Sequence, residues 1–107
     1  MTTRTIRPRL DTRSLQAKAG EVADLLRTIG NDRRLLILCR LVECGEATVG
    51  DLADDVGLSQ SALSQHLARL REEGIVAFRR ESQTIWYRIA DARVEALLAA
   101  LHRLYCN

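Results

Sequence analysis

Three cysteines, Cys39, Cys44 and Cys106, carry the thiol chemistry available to this chain. Thiols can hold a soft metal ion, close a sulfur bridge or act as redox nucleophiles. An odd count at wide spacing excludes a secreted disulfide framework, and the absence of a CxxC removes the usual oxidoreductase motif. Cys39 and Cys44 lie roughly 140° apart around a helix of 3.6 residues per turn, so a bridge between them would be strained. His102 stands one turn before Cys106, where an imidazole favours the reactive thiolate. Cys39 sits in the apolar run LLILCRLV, so position alone leaves it open between a reactive thiol and a small buried hydrophobe.

A second constellation is polar. Gln60, Ser61, Ser64, Gln65 and Arg69 fall away from the face defined by Leu63, Leu67 and Leu70. Short polar groups at the N-terminal end of a helix are what base edges in a major groove require. The amide-rich N-terminus opened by Ser59 also suits a phosphate. Arg79 and Arg80, with Gln83 in the turn beyond them, are placed to meet the backbone from a neighbouring hairpin.

Positioning these groups takes a particular set of elements. Leu15, Ala19, Val22, Leu25, Leu26 and Ile29 recur at helical spacing, predicting a first helix from about Ser14 to Ile29. Asn31 caps a second helix ending near Cys44, which the apolar run makes central; Gly45 suits its C-terminus. Thr48 and Asp51 have a capping-box-like spacing and open a short helix that stops at Gly57. Ser59 caps the next, with Leu58 and Leu63 at the two positions of a hydrophobic staple. Two helices joined by Gly57-Leu58-Ser59 form a helix-turn-helix, and the second ends at Gly74. The period then changes to 2: residues 75–80 and 85–89 predict a hairpin around Glu81-Ser82-Gln83-Thr84. Asp91 caps a last helix with the stripe Val94, Leu97, Leu98, Leu101 and Leu104. The expected fold is mainly α with a small β-hairpin, a winged helix-turn-helix of order α-α-α-α-β-β-α.

The bulk properties agree. A chain of 107 residues holds one domain, and a formal charge of +2 is too small to argue for nucleic acid by itself. Arg4, Arg7, Arg9, Arg13 and Lys18 oppose only Asp11 near the start, so residues 1–12 are expected to form a flexible basic arm and residues 13–107 the domain. No apolar run approaches membrane-spanning length and no signal sequence opens the chain, giving the expectation of a cytoplasmic protein without a membrane partner.

Residues 31–89, with GLSQSALSQHLARLREEGIV followed by RRESQTIWYRI, resemble the ArsR family of winged-helix repressors. The resemblance implies a homodimer built from the first and last helices and a double-stranded inverted-repeat operator. It sets Ser59, Gln60, Ser61, Ser64, Gln65 and His66 at or near the groove, although His66 could equally be a structural histidine. Metal-sensing members carry a Cys-Val-Cys where this chain has Thr48-Val49-Gly50. Others carry a histidine where it has Arg93, beside Asp91. No metal site or cofactor is therefore expected, and no enzyme activity. The phrases NDRRLLILCRL and LHRLYC resemble the BigR/SqrR type of sulfur-responsive repressors. That resemblance implies Cys39 and Cys106 as a redox-sensing pair answering persulfide or polysulfide, with derepression of sulfide-detoxification genes. Cys44 is outside the pattern. A metal-responsive repressor using Cys39, Cys106 and His102 is the alternative; a thiol oxidoreductase is a weaker one.

Overall fold

The computed structural model describes residues 9–106. Its elements run α1 (Thr12–Ile29), α2 (Asp32–Cys44), β1 (Ala47–Thr48), α3 (Val49–Val56), α4 (Gln60–Glu72), β2 (Val76–Glu81), β3 (Thr84–Ile89) and α5 (Ala92–Tyr105). Most helix starts follow from local chemistry. Asn31 accepts from the Arg33 and Arg34 amides, Thr48 from that of Asp51, Ser59 from that of Ala62 and Asp91 from that of Arg93. Helix α1 begins two residues before the expected start because Asp11 caps it, accepting from the Arg13 and Ser14 amides. Most of the expected arm, residues 1–8, lies outside the described residues.

The core is one cluster. Ile37, Leu38 and Leu41 of α2 meet Leu52 of α3, the Leu63/Leu67/Leu70 face of α4, and Val94 and Leu98 of α5, with Ile75 and Val76 closing the strand side. Helix α2 is central but not apolar all round, because Leu36 is 53% exposed and Cys39 also faces outward. The expected hairpin is instead part of a three-stranded antiparallel sheet of order β1-β3-β2, in which Ala47 pairs with Tyr87 and Thr48 with Trp86. A two-residue strand carries no periodicity to read, so sequence patterning passes over it. The β2–β3 turn is tight: Glu81 pairs with Thr84 and Ser82 adopts a φ of +57°.

The chain is elongated, 62 × 33 × 21 Å. Within it, α1 packs mainly on α2, leaving Leu15, Val22 and Leu26 exposed while Ile29 is buried. The α5 stripe behaves likewise: Val94 and Leu98 are buried, but Leu104 is 76% exposed.

Candidate nucleic-acid interface and thiol pair

Helix α4 stands on leucines buried on its inner face, so its other residues are offered outward. Taking 100° per residue, Ser61 and Gln65 lie opposite the leucine face, Gln60 and Ser64 on one flank, His66 and Arg69 on the other. Ser59, Gln60, Ser61, Ser64 and Gln65 are all exposed. The Ser59 hydroxyl accepts from the Ala62 amide at 3.1 Å, so it shapes the entry of the helix. The Gln60 amide lies over the start of α3, where a Cβ on Gly50 would come within 3.8 Å of Gln60 Nε2. His66 is half-buried, and its pKa is lowered by desolvation and then by the charges of Arg34 and Arg33 at the start of α2. Its neutral form is therefore favoured. Arg69 donates to Glu73 Oε2 at 2.8 Å.

The wing turns Arg79 and Arg80 to opposite sides. The Arg79 guanidinium donates to both oxygens of Glu46, at 2.8 and 3.0 Å, and to Glu81 at 2.7 Å. It also lies over the Trp86 ring, 5.6 Å from the centroid. Arg79 thus braces the wing against the loop before β1. Successive strand residues face opposite ways, so Arg80 points to the other side and makes no ion pair among the described residues. Gln83 is exposed at the tip. Glu46 escaped sequence reasoning because its partner is far away in the chain and no local motif links them.

All three thiols are free and exposed in the single chain. For Cys39 this overturns the buried-hydrophobe reading: on α2 the core takes Ile37, Leu38 and Leu41, and Cys39 falls on another face. It lines an open groove of about 330 Å³ with Leu36, Arg40, Glu43, Asp55 and Val56. Arg40 is paired there with Asp55 at 2.7 Å and Glu43 at 2.6 Å. The Cys39 thiol pKa is raised, first by desolvation and then by the charge of Cys106. The two thiols, far apart in sequence, stand on α2 and at the end of α5, two helices that pack against each other. Cys106 closes α5, its amide donating to the His102 carbonyl at 2.9 Å. Cys44 occupies a separate recess with Glu46, Asp51, Asp54 and Asp55. The Asp91 carboxylate is engaged by Arg93, through Nε at 3.1 Å and Nη2 at 2.9 Å, as well as by the backbone of the cap.

A helical core presenting the polar face of one helix beside a β-hairpin defines a winged helix-turn-helix DNA-binding protein. The sequence model described as "Bacterial regulatory protein, arsR family" matches residues 31–77. The transcriptional activator HlyU of Vibrio cholerae is 43% identical over 98 residues, covering 92% of this chain and 90% of that protein. The crystal structure of the transcriptional repressor BigR from Xylella fastidiosa superposes with a TM-score of 0.85 at 41% identity, covering 92% of this chain and 99% of that one. Reduced HlyU from V. cholerae superposes with a TM-score of 0.81 at 44% identity, covering 89% of this chain and 99% of that one. The chain belongs to the ArsR family of transcriptional regulators. Among the described residues, no helix is long and apolar enough to cross a membrane.

Proposed function

We propose that this regulator is a homodimeric repressor whose affinity for an inverted-repeat operator falls when persulfides or polysulfides bridge Cys39 and Cys106. Supporting this reading, Cys39 on α2 and Cys106 at the end of α5 are both free and exposed on helices that pack against each other, and the charge of Cys106 adds to the desolvation that raises the Cys39 pKa. In this reading Gln60, Ser61, Ser64 and Gln65 read base edges. Ser59, His66, Arg69, Arg80 and Gln83 flank them along the backbone, and Arg79 holds the wing in place. The exposed Leu15, Val22 and Leu26 of α1 and Leu104 of α5 are the surface that a second copy covers.

In this reading Cys106, exposed at the end of α5, is the first nucleophile, and Cys39, whose pKa desolvation raises, closes the bridge. Its thiolate takes the outer sulfur of one organic persulfide, releasing the parent thiol, and the protein persulfide takes a second sulfur the same way. The Cys39 thiolate then attacks the middle sulfur of that chain and expels the terminal one as hydrosulfide. Two protein thiols and two persulfides thus give one trisulfide, two small thiols and one hydrogen sulfide, with the persulfide sulfur as oxidant. An added sulfur extends the reach of the pair beyond the roughly 7 Å between Cα atoms that a direct disulfide allows.

Because the bridge ties α5 to α2, it favours one arrangement of the dimer over another, and operator affinity changes only through that difference. The test is intact mass and tryptic mapping after treatment with an organic persulfide, read beside operator binding. The expected result is a Cys39–Cys106 bridge and an affinity loss of about 5- to 150-fold, the range typical of such coupling. Cys39→Ser and Cys106→Ser should bind DNA and ignore persulfide, while Cys44→Ser responds normally. Release of Cys39→Ser by persulfide, or a requirement for Cys44, would sink the assignment.

A further inference from the structure

Thr28, in the last turn of α1, is 1% exposed, the one buried polar or charged residue among those described. Its hydroxyl donates to Glu73 Oε1 at 2.6 Å. Its carbonyl accepts from Arg34 Nε at 2.6 Å, and the second Glu73 oxygen accepts from Arg69 Nε at 2.8 Å. Glu73 is the C-cap of α4, so the end of the recognition helix, the end of α1 and the start of α2 meet in one polar joint. A hydrogen bond to a carboxylate is short and strong, and Thr28 is the first cause of the lowered Glu73 pKa. Since α1 packs chiefly on α2, this bond is a direct polar link between α1 and α4.

We propose that Thr28, through Glu73, is a positioning residue that fixes the angle of the recognition helix against α1 and thereby sets the half-site spacing the dimer accepts. The inference rests on the two-fold reading above, in which the exposed face of α1 meets a second copy. Its magnitude comes from leverage. At about 1.5 Å per residue, the 13 residues of α4 span roughly 20 Å from the joint to Gln60. A rotation of about 10° at the joint therefore moves the reading end by roughly 3.4 Å, the rise of one base pair. A small slackening at Thr28 becomes a loss of register at the groove.

The test uses the intact dimer and a duplex carrying the inverted repeat that the wild-type protein selects from a randomised library. Two further duplexes have the spacer shortened or lengthened by one base pair. Wild type should discriminate against both altered spacings. Thr28→Val, which keeps the shape and removes the donor, should bind the selected duplex about five- to tenfold more weakly and lose most of the spacing preference. Thr28→Ser, which keeps the hydroxyl, should retain both. A general loss of fold would lower all three affinities together, so the spacing profile separates positioning from stability. Should Thr28→Val not fold, Glu73→Ala, which removes the acceptor from a part-exposed position, provides the same comparison. An unchanged spacing profile in the folded variant overturns the proposal. A wild-type protein indifferent to spacing overturns the two-fold reading, and this inference with it.

Discussion

At the recognition helix, each polar group offered to DNA stands on Leu63, Leu67 and Leu70, which are fully buried within one chain. At the thiol pair, Cys39 and Cys106 stand on helix faces that the single chain leaves open, beside Leu36 and Leu104. The first region is completed by its own core. The second borders apolar surface that the chain does not cover itself, on two helices that the proposed bridge would tie together. A DNA reader needs rigidity and a switch needs two states of similar free energy, so the two proposed roles fit the two kinds of packing.

The sharpest way to break this contrast is through stability. Leu67→Ala removes a side chain from a completed core and should cost about 2–5 kcal/mol in chemical denaturation. Leu36→Ala, on the thiol side, should stay within about 1 kcal/mol, since it removes a half-exposed contact. Equal losses would mean that the α2 outer face is as tightly built as the α4 frame. Operator binding gives a smaller effect. Gln60→Ala should lose about 1–3 kcal/mol of discrimination against wrong bases while the fold survives. Arg80→Ala should weaken all sequences alike and lower the salt slope by about one. A Gln60→Ala variant that binds like wild type would remove the placement of α4 in the groove.

The smallest effect lies in titration. The raised pKa of Cys39 leaves less thiolate at any given pH, so its alkylation profile should sit at higher pH than that of a free cysteine. Because Cys106 is the second cause of that shift, Cys106→Ser should move the profile part of the way back, toward lower pH. A profile indifferent to Cys106 would place the two sulfurs out of reach and undo the pair.

Much of this architecture is decided by short-range pattern. Asn31, Ser59 and Asp91 cap helices, Gly57 adopts the left-handed conformation that ends α3 with a φ of +70°, and Leu63/Leu67/Leu70 make one buried face. Each depends on neighbours within four residues, which is why it can be read along the chain. The polar face of α4 follows from the same periodicity. Long-range partners decided the rest. The pairing of Ala47–Thr48 with β3, the capture of Arg79 by Glu46, and the joint of Thr28, Arg34 and Glu73 each join residues that no local period connects. The outward turn of Cys39 belongs with them. An apolar run states that a helix has a buried side, but three-dimensional packing against α3, α4 and α5 selected Ile37, Leu38 and Leu41 for that side and left the thiol facing out.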